Sequence, residues 1–199
     1  ACGYRLTADL SGGLDSRMIF AAARRLELPE EFYTDHLGSG DESLACAAAA
    51  ALVKIGGDTS VAALQQKLAN AQGRLRAAVA DACLACAERL LREGNRGSAA
   101  VLYGQLSGAG ETEQVRMAAW RGTVLSKPDE AVALICQALT SGDAGRENMA
   151  LQLVPEAPGE ATATAQFAEC LSRTSPPMQA LLIGALAARR DPAARIAVE

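Results

Sequence analysis

Apolar residues recur every three to four positions from about Asp41 to the end of the chain, with polar residues between them. This spacing places the apolar side chains on one face of a helix, and no later stretch shows the alternation typical of a strand. The periodicity predicts these helical segments: 43–55, 59–70, 73–92, 97–106, 111–125, 129–140, 144–154, 160–173 and 177–189, with a short further segment from 191. We therefore expect residues 41–199 to be all-α.

Short polar turns rich in Gly, Pro and Asp separate these segments. Four of the turns contain an acidic residue, at Asp58, Asp129, Glu160 and Asp191, and the last three follow each other at intervals of 31 residues. Glycine permits the left-handed conformation that ends a helix, and an Asp near the next helix start can accept bonds from its N–H groups. The turn at Gly94-Asn95 lies in the middle of the long gap between the first two acidic positions. This regularity predicts antiparallel helix pairs repeated along the chain.

The first helix of several pairs carries a similar core. It reads Leu75-Arg76-Ala77-Ala78-Val79, then Val115-Arg116-Met117-Ala118-Ala119 and, more loosely, Gly145-Arg146-Glu147-Asn148-Met149-Ala150. Over residues 41–199 the chain resembles the HEAT-repeat family. The resemblance implies a right-handed, armadillo-like α-solenoid that binds a protein partner and has no catalytic activity. It favours a non-catalytic protein-interaction scaffold, and a structural spacer within a larger protein is the related alternative.

The first 40 residues form a separate segment with a different pattern. Residues 4–10 read as a strand, Ser11-Gly12-Gly13-Leu14-Asp15-Ser16 as a glycine-rich loop and 17–26 as a helix, whereas 31–34 fits either a strand or a helical turn. The glycines permit close backbone approach to an anion, and N–H groups at a helix start can bind phosphate.

This loop is similar to the pyrophosphate loop of asparagine-synthase-like ATP pyrophosphatases. The resemblance assigns nucleotide binding to these residues: Ser11, Gly12, Gly13, Asp15 and Ser16. It implies an alternative function as the ATP-binding fragment of an adenylating amidotransferase, with ATP and Mg as cofactors. A nucleotide site of this kind needs several parallel strands, and the sequence offers one or two, so the segment also reads as a domain remnant.

Charge and composition narrow the classes of function. The net charge is −4, with 19 basic and 23 acidic residues, which argues against nucleic-acid binding. No apolar stretch is long enough for a membrane span. The six cysteines are scattered through apolar helical patterns, unlike a disulfide framework, which favours a reducing, cytoplasmic location.

The sequence gives little support for a metal site or a catalytic site. Cys83 and Cys86 are spaced to share one face of a helix, but a zinc site needs two more ligands, and His36 is the single histidine. We therefore expect core cysteines, no resident metal and no catalytic residue. Outside the alternative function, no cofactor is expected.

Arginines in or just after the first helices are the candidates for partner binding, namely Arg116, Arg121 and Arg146, with Arg189 and Arg190 in a similar position. Such residues either line a surface for an acidic partner or pair with neighbouring groups and cover apolar surface with their stems. Trp120 reads as a core residue, with an exposed binding anchor as the alternative.

The last segment, from Asp191, is shorter than the helices before it. We expect it to cover the apolar residues of 177–189 only in part, these being Leu181, Leu182, Ile183 and Leu186. The pattern predicts that the repeats continue beyond Glu199 or that this face meets a partner.

Overall fold

The computed structural model of the protein describes residues 29–193. The strand, loop and helix predicted over 4–26 lie outside the described residues, and so do the nucleotide-binding candidates Ser11 to Ser16 and the residues after Ala193. Within residues 29–193 the secondary structure is helical throughout and contains no strand.

Ten α-helices make up the described chain, and their bounds are as follows: α1 Glu30–Leu37, α2 Glu42–Ile55, α3 Gly57–Asn70, α4 Gly73–Arg92, α5 Arg96–Gln105, α6 Glu113–Ser126, α7 Ala131–Leu139, α8 Ala144–Leu153, α9 Glu160–Leu171 and α10 Pro176–Ala188. A 3-10 turn, Val154–Glu156, follows α8. The predicted helices after residue 41 are confirmed to within a few residues at each end. The ambiguous stretch 31–34 belongs to α1.

The breaks between helices fall at the predicted turns, but of the four acidic residues expected to accept bonds from the following helix start only Asp191 does so, from the Ala193 N–H at 2.9 Å. Gly56 and Gly57 have positive φ angles of 76° and 85°, which glycine adopts without steric cost. The acidic side chains at 58, 129 and 160 accept no capping bond at the start of α3, α7 or α9. Side-chain caps come instead from residues directly before other helices: Asp41, Asn95, Thr112 and Asp143.

The chain divides into two compact units, residues 1–86 and 87–199, and the boundary falls inside α4. In the described part of the first unit, α1 packs on α2 and α3, and α2 packs on α3. The alanine run contributes Ala48 and Ala49, which are fully buried with Leu52 and Leu64. Small side chains allow these helices to approach closely, which explains how an alanine-rich stretch forms a core.

In the second unit the helices pack on near neighbours along the chain. α5 packs on α6, α6 on α7 and α8, and α7 on both α8 and α9, while α10 contacts α8 and α9. The two helices of the predicted pair 144–154 and 160–173 therefore share α7 as a common neighbour. Phe167, Leu182 and Leu186 are fully buried in the core of this unit, and Trp120 packs against that core as a half-buried side chain.

A side-chain contact to the preceding segment recurs at the start of three helices. Arg76, Arg116 and Gln179 occupy equivalent early positions in α4, α6 and α10, and each donates to backbone carbonyls that precede its helix. The bonds are Arg76 Nη1 to Leu68 O and Ala71 O at 3.0 and 3.4 Å, Arg116 Nη1 to Glu111 O at 2.8 Å, and Gln179 Nε2 to Leu171 O and Thr174 O at 2.9 and 3.2 Å. These bonds satisfy carbonyls that a helix end leaves free.

The prediction that the apolar residues of α10 are only partly covered is confirmed for two of the four. Leu181 is 55% exposed and Ile183 is 38% exposed, whereas the prediction is wrong for Leu182 and Leu186, which are fully buried. Among the described residues, no helix is long and apolar enough to cross a membrane.

Candidate binding groove around Tyr103

The three arginines predicted to bind a partner have different surroundings. Arg116 donates to the Glu111 carbonyl at 2.8 Å and therefore helps to hold the start of α6. Arg146 is exposed in the first turn of α8. Arg121 is also exposed, and it is the one of the three that lines a groove in the second unit.

This groove has a volume of ≈ 470 Å³ and is formed by four helices. α4 contributes one residue, α5 one, α6 six and α8 one, which are Glu88, Tyr103, Glu113, Gln114, Met117, Ala118, Arg121, Gly122 and Met149. The α6 residues lie three and four positions apart, so they occupy one face of that helix. We refer to this surface as the Tyr103 groove.

Gly122 brings the ring of Tyr103 directly against the backbone of α6. A Cβ atom at Gly122 would overlap ring atoms of Tyr103. Glycine in a helix interior costs about 1 kcal/mol relative to alanine, so its presence needs a structural reason. The reason is this close approach, which fixes the position of the tyrosine at the base of the groove.

The hydroxyl of Tyr103 is the polar group that stands out in the groove. The residue is only 2% exposed, yet in the part of the chain that the structure describes its hydroxyl has no hydrogen-bond partner. Burial raises the pKa of Tyr103, the nearby Glu88 carboxylate raises it further, and Arg121 acts in the opposite direction. The phenol is therefore neutral at physiological pH and can donate one bond to a bound molecule.

Two carboxylates and one guanidinium line the groove together with Tyr103. Neither Glu88, Glu113 nor Arg121 takes part in an ion pair with any residue between 29 and 193. Met117 and Met149 supply flexible, polarisable apolar surface beside the charges. The groove therefore offers a short apolar wall, a free phenol and charges of both signs, with the negative charges in excess.

A second depression, of ≈ 530 Å³, lies beside Arg189 and shows the opposite arrangement. The Arg189 guanidinium makes four hydrogen bonds, donating to Thr164 Oγ1 at 3.0 Å, Val154 O at 2.5 Å, Ala157 O at 3.0 Å and Glu160 O at 3.4 Å. It also lies over the ring of Phe167, 5.5 Å from the centroid. Arg189 therefore holds the segment between α8 and α9 in place and uses four of its five N–H donors to do so.

The candidate metal ligands Cys83, Cys86 and His36 pack within the fold and do not line a common site. Cys83 and Cys86 are completely buried in α4. His36 Nδ1 lies 2.7 Å from the Phe32 carbonyl, and its ring lies 4.2 Å from the Phe32 ring, within a single helix. Between residues 29 and 193 no group of three or more His, Cys, Asp or Glu side chains is placed to hold a metal ion.

Sequence reasoning identified Arg121 but missed the two residues that define the groove. Tyr103 carries no local signature, because its importance comes from a contact with a helix that is distant in the sequence. Gly122 did carry a signal, since a glycine in the middle of a predicted helix often marks a close packing contact.

The sequence matches no protein-family model, and a search of curated proteins likewise finds no match.

Proposed function

We propose that the protein is a non-catalytic interaction scaffold, and that the Tyr103 groove binds a segment of a partner protein. One observation carries the proposal, namely that Tyr103 lines the groove with a hydroxyl that has no hydrogen-bond partner in the described chain, although the residue as a whole is only 2% exposed. The packing of its ring against Gly122 holds this hydroxyl in place, so a ligand in the groove can bond to it.

We further propose that the helix pairs are HEAT-like repeats of a right-handed α-solenoid. The recurring bonds of Arg76, Arg116 and Gln179 support this. Arg76 and Gln179 each bond to two carbonyls, one eight residues earlier and one five residues earlier. Arg116 bonds to one carbonyl, which also lies five residues earlier. Equivalent residues that make equivalent contacts are expected when one structural unit is repeated.

The chemistry of the groove favours a partner segment with a basic side chain beside an apolar one. Glu88 and Glu113 outnumber Arg121, so a Lys or Arg of the partner gains attraction when it enters. Met117 and Met149 adapt to the shape of an apolar neighbour. Arg121 can donate hydrogen bonds to a backbone carbonyl or to an acidic side chain of the same segment.

Selection from a random peptide display library tests this proposal. We expect enriched peptides that contain Lys or Arg next to an apolar residue, and we expect chemical shift changes in the isotope-labelled protein at Tyr103, Met117 and Met149. Binding should weaken in Glu88→Gln and should be retained in Glu93→Gln, an exposed glutamate outside the groove. Enriched peptides that bind both variants equally would contradict the assignment of the groove.

The alternative function, ATP binding by Ser11 to Ser16, rests on the resemblance of that loop to the pyrophosphate loop. Calorimetric titration with Mg-ATP separates it from the scaffold proposal. A heat of binding that is present in the natural protein and lost in Gly13→Ala would support the enzyme fragment. The Tyr103 groove predicts no such dependence on Gly13.

A further inference from the structure

Two cysteines that are far apart in the sequence meet in the second unit. Cys136 on α7 and Cys170 on α9 both donate to the Gln166 carbonyl, over Sγ···O distances of 3.8 and 3.3 Å. Their side chains are 8% and 1% exposed, respectively. The shared acceptor brings the two thiols together between neighbouring helices.

A cation completes this cluster. Arg173, just after α9, donates from Nη2 to the Cys170 sulfur at 3.5 Å. The interaction with the Cys136 thiol and the charge of Arg173 lower the pKa of Cys170. The same thiol contact, together with burial, raises the pKa of Cys136. When Cys170 loses its proton it gives up its bond to the Gln166 carbonyl, and the Arg173 guanidinium stabilises the resulting thiolate. Its neighbour Cys136 stays a thiol, which is the division of roles that disulfide formation uses.

We propose that Cys136 and Cys170 form a redox-sensitive pair that a hydroperoxide oxidises to a disulfide linking α7 and α9. The Cys170 thiolate attacks one peroxide oxygen, the O–O bond breaks, and hydroxide leaves, so that Cys170 becomes a sulfenic acid. The Cys136 sulfur then attacks the sulfenyl sulfur, and its proton joins the departing hydroxide as water. The two sulfurs lose two electrons in total, and the peroxide gains them.

The pair differs from the other three cysteines between residues 29 and 193 in ways that make the reaction selective. Cys83 and Cys86 are completely buried, whereas Cys136 retains some exposure through which a molecule as small as hydrogen peroxide reaches the cluster. Burial raises the pKa of Cys46, which lowers its thiolate fraction. The cluster therefore combines a thiol of lowered pKa at Cys170, a resolving thiol at Cys136 and the guanidinium of Arg173.

Treatment with hydrogen peroxide, followed by non-reducing peptide mass spectrometry, tests the proposal. We expect a cross-linked pair of peptides containing Cys136 and Cys170, lighter by two hydrogens than the sum of the reduced peptides and released by dithiothreitol. In Cys136→Ser, dimedone should trap a sulfenic acid on Cys170. In Cys170→Ser, the adduct on Cys136 should be several-fold weaker.

Arg173→Gln should slow the cross-linking several-fold, because it removes the cation beside the Cys170 sulfur. Arg190→Gln is the matched control, since Arg190 is an exposed arginine that follows α10 and not α9, and it should leave the rate unchanged. Reduced thiols at both positions after Cys46 has been oxidised would overturn the proposal. So would equal dimedone labelling of the two single variants.

Discussion

Arg189 and Tyr103 both carry a polar group on a side chain that packs into the second unit, but only Arg189 has partners for it among the described residues. Its guanidinium donates to one hydroxyl and three backbone carbonyls. Tyr103 is more deeply buried, at 2% exposure, and its hydroxyl has no partner among residues 29–193. The first arrangement holds the chain together, whereas the second is open to a ligand.

The comparison shows that a structural residue is distinguished from a binding residue by whether its polar atoms have hydrogen-bond partners, and not by its residue type. Both positions look alike in the sequence, since arginines and tyrosines are common in cores and in binding sites alike. A satisfied buried polar group contributes to stability, while an unsatisfied one is retained in spite of its cost. Substitutions at the two sites should therefore have opposite effects on stability and binding.

Arg189→Ala is expected to have the largest effect on stability. It removes bonds to three carbonyls that flank the loop between α8 and α9, and it uncovers Phe167. The free energy of unfolding, measured by urea denaturation, should fall by about 2–4 kcal/mol. Arg189→Lys should recover little of this loss, because one ammonium cannot reproduce the planar set of donors.

The neighbouring Arg190 provides the control for this substitution. It is exposed, so Arg190→Ala should change the free energy of unfolding by less than about 0.5 kcal/mol. Equal losses from both variants would mean that general charge effects, and not the bonds of Arg189, determine stability there.

Gly122→Ala should have the next largest effect, and it acts on the groove. Helix propensity alone predicts a gain of up to about 1 kcal/mol. The added methyl group would overlap the Tyr103 ring, so we expect a net loss of about 1–3 kcal/mol, together with displacement of the tyrosine. Thermal unfolding measures the first effect, and near-ultraviolet circular dichroism measures the second.

Gly104→Ala is the matched control, since a Cβ atom at Gly104 on α5 meets nothing within 4 Å. This variant should be neutral or stabilised. If Gly122→Ala were stabilised to the same extent, Tyr103 would not depend on the glycine, and the description of the groove base would be wrong.

The pH dependence of stability offers a smaller test of the Arg189 region. The Thr164 hydroxyl, the Ala193 N–H and the Arg189 guanidinium lower the pKa of Asp191 below its usual value of 3.8. A carboxylate with a depressed folded-state pKa stabilises the fold above its unfolded pKa, and this contribution is lost as the pH falls through the folded value.

Asp191→Asn should therefore be less stable than the natural protein at neutral pH, and the difference should shrink once the pH falls below about 4, following the usual Asp pKa. Asp129→Asn removes the same charge at an exposed position in another turn. It should not produce a difference with the same pH profile. Urea denaturation across the acidic range follows both variants.

The helices could be predicted because their causes are local. The apolar spacing over 73–92 and the glycines at 56 and 57 act within a few residues, so the sequence alone is sufficient to locate a helix and its end. The capping residues were harder to predict. Asp58 is near a helix start, but the actual cap depends on backbone geometry at the single residue before the helix.

The sites could not be predicted in the same way, because their residues meet only after the helices pack. Cys83 and Cys86 attracted attention through their short spacing, yet the thiols that share an acceptor are Cys136 and Cys170. The sequence did not distinguish the arginines either. Arg189 was grouped with partner-binding candidates, but its donors are used internally.

Tyr103→Phe is expected to have the smallest effect on stability, and it is the most direct test of the comparison. The substitution keeps the ring against Gly122 and removes only a hydroxyl that has no partner in the described chain. The free energy of unfolding should therefore change by less than about 0.5 kcal/mol, because no hydrogen bond within the described chain is lost. A fall of about 1.5 kcal/mol or more would show that the hydroxyl bonds within the protein.

Affinity for a peptide selected on the natural protein should fall several-fold in the same variant. If Tyr103→Phe is stable but no longer binds the peptide, while Arg189→Ala is unstable, the Tyr103 hydroxyl serves ligand binding and the Arg189 guanidinium serves the fold.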